Sequence, residues 1–334
     1  MNTEVTSRNG AIDAVKGVCL LHMLFVHLSI IYGAIDFCGN GAGLYFHIME
    51  WFMIPFYLFN GYFFSQKNNF KSFITSKAKR LLTPLLFWSL ISLPFFYFWQ
   101  YNTHGFIEWK EPFLMFIQIC SLSSNDALWF LYSLFAVNVI FYVVYIYTKN
   151  KKMVLSFIIL CLLYAYVDRY CLPCYFSSSN IVIGLVFFYI GHKFRMVENK
   201  LMKKKILLLS ITIFIAITYF NPQWMQIVTL YQSEGYFSLN ILYALTGTYI
   251  LYFVMTKLKY TKMFSYFGHN SMTYYVWHMI PLRLIWDPLC KEYFPQISYS
   301  QYVVMGGAII LITSWIIDTL KVNLSKRFVI LSYI

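Results

Sequence analysis

The chain alternates between long apolar runs and short polar stretches, and the length of the runs is what first defines it. Crossing a hydrocarbon core takes roughly 20 apolar residues in a helix. By that measure the sequence predicts about ten spans, near residues 11–33, 44–65, 83–101, 126–148, 153–170, 179–194, 206–220, 238–257, 264–286 and 300–320. One further apolar segment, EPFLMFIQIC at 111–120, is too short to span and is expected to lie at the interface or re-enter. No loop is long enough for a soluble domain, and no internal repeat is evident. The expected architecture is therefore all-α: one polytopic bundle, with residues 1–334 as a single domain.

Composition supports a lipid solvent. The chain is 60% hydrophobic and 12% charged, where a soluble domain carries about 25% charged residues. The net charge of +13 takes its meaning from position. With a cytoplasmic N-terminus and ten spans, all but four of the 26 basic residues fall on the cytoplasmic side. The exceptions are Lys110, Arg169, Arg283 and Lys291. Basic residues stay inside, so the expectation is an inner-membrane protein with both termini cytoplasmic, not a nucleic-acid binder. The basic tail after Leu320 is expected to lie on the inner leaflet. The first ten residues are polar and no small-residue cleavage site follows, so the first run reads as a retained span. Cys171-Leu-Pro-Cys174 is a single pair without further ligands. Structural zinc wants four, so no metal is expected, whereas a disulfide there would need an oxidising compartment.

The candidate chemistry starts in the first run. Asp13, Lys16 and His27 share one helical face: Lys16 and His27 point within roughly 20° of each other, and Asp13 lies roughly 40° to one side. Lys16 and His27 stand roughly 16 Å apart along the axis. Ionisable groups at membrane depth are costly and mark functional sites by default. Glu50, entering the second run from the outside, is expected at a depth similar to that of His27, where a carboxylate can orient an imidazole general base. The same pair also reads as a polar tie between two helices. His22 faces elsewhere on the first helix and reads as a packing or interfacial residue. Arg80, set against the third run behind Pro84, is placed to grip phosphate, with Pro84 in the first turn of that helix. Trp129 opens the fourth run, as a membrane anchor or as a ring for a sugar to stack on. Ser271 and His278 are two turns apart on nearly the same face.

Taken in order, these stretches resemble the acyltransferase-3 family of integral membrane acyltransferases. The resemblance begins with Asp13-x-x-Lys16-Gly17 followed by His27. It continues through Met53-Ile-Pro55-Phe-Tyr-Leu-Phe-Asn60-Gly61-Tyr62, Lys79-Arg80-Leu-Leu-Thr-Pro84, Leu128-Trp129-Phe130-Leu131, Phe188-Tyr-Ile-Gly191 and Gly268-His-Asn-Ser271…His278. Lys16 replaces the commoner Arg, which keeps the charge and loses the bidentate fork, and Asn60 replaces the usual Ser. Lys is frequent in the branch of the family that O-acetylates glycans.

The resemblance implies transfer of an acyl group, usually acetyl from cytoplasmic acetyl-CoA, to a hydroxyl of a surface glycan or lipid-linked saccharide. His27 and Glu50 would be catalytic, Asp13, Lys16 and Arg80 would bind the donor, and Trp129, Ser271 and His278 would bind the acceptor. A carrier for a lipid-linked glycan is the rival reading. The lack of a repeat and of paired broken helices counts against it.

Overall fold

A computed structural model of the chain describes residues 9–34, 48–65, 69–119, 128–148, 150–171, 178–220, 237–259 and 261–325. Among these residues the regular structure is helical throughout. The helices are α1 (Gly10–Tyr32), α2 (Ile54–Tyr62), α3 (Phe70–His104), α4 (Glu111–Ile119), α5 (Trp129–Thr148), α6 (Lys151–Cys171) and α7 (Ser178–Leu201). They continue as α8 (Lys204–Phe220), α9 (Phe237–Lys257), α10 (Lys262–His269), α11 (Ser271–Trp277), α12 (Asp287–Tyr293) and α13 (Tyr299–Ser325). Six of them, α1, α3, α5, α7, α9 and α13, are long and apolar enough to cross a membrane. Large apolar side chains such as Leu90 and Phe98 on α3, Leu208 on α8 and Val304 and Ile312 on α13 stay exposed, the surface that lipid covers in a multi-pass membrane protein. The Cys171–Cys174 loop and the tail beyond Ser325 lie outside the described residues.

Three expectations change in detail. The 44–65 run yields the nine-residue α2 within the described residues, entered through a turn at 49–53. The 264–286 run is not one helix. It is divided into α10, α11, a helical turn at Met279–Pro281 and a π-helical turn at Leu282–Trp286 that leads into α12. Pro281 and Pro288 lack the N–H that a regular helix needs there, which is why the ladder shifts register. The third run starts earlier than expected. α3 is 35 residues long and contains Pro84 and Pro94 in its interior, so Pro84 is not in a first turn. At 1.5 Å per residue α3 measures about 52 Å against a hydrocarbon core of about 30 Å. Its polar first turns, which carry Lys77 and Arg80, therefore extend beyond the apolar layer. The short α4 matches the segment judged too short to span.

Local signals set the ends of α1. The Asn9 side chain accepts from the backbone N–H groups of Ala11 and Ile12 at 3.0 and 3.3 Å, a regular N-cap. At the other end Gly33 turns left-handed at φ 82°, and its N–H and that of Ala34 close on Ile30 and Ser29 carbonyls. The Asn9 amide also donates to the Tyr252 hydroxyl at 3.2 Å. Tyr252 and Tyr62 both donate to the Glu198 carboxylate, Tyr62 at 2.6 Å. One carboxylate thus fastens the ends of α2, α7 and α9 to the cap of α1.

Two helix pairs are held at backbone contact by glycines. A Cβ on Gly17 would overlap the Phe264 carbonyl, and one on Gly268 would overlap the Asp13 carbonyl, so α1 and α10 cross with no room for a side chain on either. The same reciprocity joins α2 and α7: Gly61 abuts the Phe188 backbone and Gly191 the Leu58 backbone. Small residues let membrane helices approach this closely, since lipid offers no hydrophobic drive to bring them together. Polar ties add to the packing. Tyr57 and Ser133 hydroxyls meet at 2.7 Å between α2 and α5, Ser29 meets Tyr299 at 2.7 Å between α1 and α13, and Thr273 donates to Asp318 at 3.0 Å.

Candidate active site

A cavity of about 410 Å³ opens among α1, α2, α3, α5 and α11. Its cationic wall is made by Lys16 on α1 and by Lys77 and Arg80 on α3. Lys77 and Arg80 are i and i+3 on their helix, so both reach the same side. The Lys77 ammonium donates to the Asn60 side-chain oxygen at 3.3 Å and lies 5.6 Å from the Phe73 ring, while Lys16 lies 5.7 Å from the Phe63 ring. Each aromatic face favours the cation beside it and holds its stem in place. Three cations and no carboxylate among the described lining residues make this wall a site for an anion such as phosphate. Leu20, Met53, Phe56, Phe130, Leu131 and Tyr275 are among the residues of the apolar remainder.

Beyond the Tyr275 wall lies a pair of histidines. The His27 and His278 rings are 5.0 Å apart at their centroids, inclined at 45°. His278 is buried, and its Nδ1–H donates to the Tyr275 carbonyl at 2.7 Å. That bond sets the tautomer, leaving Nε2 of the neutral ring as the basic atom. Arg283, on the π-helical turn, is the cation whose field reaches His27, and its guanidinium sits 5.9 Å over the Trp99 ring. π-helical turns are frequent at functional sites.

The structure groups the sequence candidates in a particular way. Lys16, Arg80 and Ser271 share the cavity wall. His27 and His278 share the ring contact. Asp13 is buried in the first turn of α1, with its carbonyl against Gly268 at the α1–α10 crossing and not on the cavity wall. Glu50 lies in the turn before α2, within electrostatic reach of the Tyr243 hydroxyl on α9. Trp129 is half-buried beside Phe130, and Phe130, not Trp129, lines the cavity. His22 packs edge-on against Phe52 at 5.3 Å, as a packing residue should. Sequence reasoning ranks Lys77 behind Arg80 in one basic cluster and gives no site role to Asn60, Tyr275 or Arg283. The spacing of Lys77 from Arg80 and of Tyr275 from His278, one helical turn in each case, was the available signal.

The fold defines a polytopic all-α membrane protein. The chain belongs to the acyltransferase-3 family: the family's sequence model, described as an acyltransferase domain, matches residues 9–319. It is a membrane acyltransferase by that membership. No curated protein and no solved structure matches the chain.

Proposed function

We propose that the protein transfers an acetyl group from cytoplasmic acetyl-CoA to a hydroxyl of a surface glycan or a lipid-linked glycan precursor, in the cell's inner membrane with both termini cytoplasmic. The observation that carries the reading is the cavity: a wall of three cations, Lys16, Lys77 and Arg80, continues into an apolar passage that ends beside His27 and His278. CoA is an anionic head on a long, uncharged arm that ends in a thioester, and this sequence of surfaces follows that order. The phosphates lie against the cations, with Asn60 holding Lys77 in place, and Ser271 faces the donor. Asp13 supports donor binding indirectly, at the crossing that places Lys16.

His27 acts as general base. It takes the proton of the acceptor hydroxyl as the oxygen attacks the thioester carbonyl, the C–O bond forms, the C–S bond breaks, and the proton leaves with the CoA sulfur. The His278 ring lies against His27 on the side of the acceptor, and Trp129 offers that acceptor a stacking face. Glu50 is assigned a supporting part, as a negative charge in the turn before α2. No metal takes part in this scheme. The test is to incubate the purified protein with radiolabelled acetyl-CoA and the host's surface glycans. Label in the glycan fraction is expected. Label that stays in acetyl-CoA with every glycan and lipid-linked fraction would refute the proposal.

A further inference from the structure

The cavity adjoins the histidine pair at Tyr275. Neither His27 nor His278 lines the cavity, and the wall residues nearest to them along their helices are Leu20 and Tyr275. On α1 the gap from Leu20 to His27 is seven residues, about 10 Å of rise. On the other side Tyr275 precedes His278 by a single turn. Its ring lies on the cavity wall and has its centroid 6.2 Å from that of His278. Phe130 meets the same ring edge-on at 5.8 Å, and Tyr275 is only 7% exposed. The ring therefore bounds the cavity at the end beside the pair.

We propose that the Tyr275 ring is a stop that restricts the acyl group to a short chain, of the acetyl class; this rests on reading the cavity as the acyl-CoA site. The cations fix the phosphate end of the donor, so the arm has a set reach. With the thioester carbonyl at the edge of the Tyr275 ring, on the side of the pair, an acetyl methyl fits against the Tyr275 and Phe130 rings. Each further methylene is driven into them. Both rings are packed into the core, and close-packed interiors do not yield a path without opening voids elsewhere. The side chain is separable from the histidine's orientation, because His278 bonds the Tyr275 backbone carbonyl, which any substitution retains.

The test is equilibrium competition on the purified full-length protein in detergent, with labelled acetyl-CoA displaced by acetyl-, butyryl- or hexanoyl-CoA. One methylene in an apolar pocket discriminates by about 10–200-fold, so hexanoyl-CoA is expected to compete with the wild type at least about 10-fold more weakly than acetyl-CoA. Tyr275→Ala should close that gap, Tyr275→Phe should keep it, and Tyr275→Leu, which preserves an apolar filling, should narrow it even if the alanine variant does not fold. A wild-type protein with no gap, or alanine and leucine variants that keep the full gap, would overturn the stop while leaving the donor site standing. A wild type that binds none of the three thioesters would overturn the donor reading and the stop together.

Discussion

Gly17→Ala is the substitution whose consequence follows most directly from the geometry. The added Cβ meets the Phe264 carbonyl, a backbone atom on α10 that no rotamer change can move aside. Gly268→Ala meets the Asp13 carbonyl from the opposite side. Either methyl forces α1 and α10 apart, and overpacking of this kind costs about 1–3 kcal/mol. For a domain of a few hundred residues that corresponds to a thermal midpoint lower by on the order of 2–8 °C. Function should suffer too, since Lys16 is next to Gly17, Ser271 is one turn beyond Gly268, and both stand on the cavity wall. Because the two methyls push on the same contact, the double variant should lose less than the sum of the single ones. Gly10→Ala is the control on the same helix: nothing lies near its added Cβ, so it should be neutral or slightly stabilising. The assay is thermal unfolding of the three single variants and the double variant in one detergent, alongside acetyl-CoA binding. A Gly17→Ala protein with the midpoint of Gly10→Ala would refute the crossing as described.

His27→Ala should lower acyl transfer by about 10²–10⁴-fold, the usual contribution of a general base, while acetyl-CoA binding and the thermal midpoint stay near wild type. Glu50→Gln should lower the rate less; loss of stability in proportion to activity in both variants would instead mark a structural pair. Lys16→Ala, Lys77→Ala and Arg80→Ala should each weaken acetyl-CoA binding, by roughly 10–100-fold if a charge-assisted hydrogen bond of about 1.5–3 kcal/mol is lost, and Lys16→Arg should be tolerated. Unchanged affinity in all three alanine variants would remove the cationic wall from donor binding. A cysteine replacing Lys204 in a cysteine-free background should be labelled from the cytoplasmic side; labelling only from outside would invert the topology.

Much of the protein is a local property of the chain. Apolar runs of membrane length and their all-α character follow from short-range chemistry, because a backbone in lipid must satisfy its own hydrogen bonds. The family blocks are local as well, and helical phase alone relates Lys16 to His27. What no run of sequence specifies is which faces meet. Depth along a helix can be counted from its end, and it pairs His27 with Glu50, but depth says nothing about azimuth. Packing places the His278 ring against His27 and brings Glu50 within reach of Tyr243. The glycines of the blocks are visible one at a time in the sequence, yet only the crossings show that Gly17 pairs with Gly268 and Gly61 with Gly191. Lys77 joins Arg80 at the cavity because α3 runs on past Pro84, which a reading of proline as a helix start does not anticipate. Tyr275 comes to bound the cavity only once α11 packs beside α1, with its ring on the cavity wall and near His278. Helices form from their own residues, whereas a site forms where several of them close on a common space.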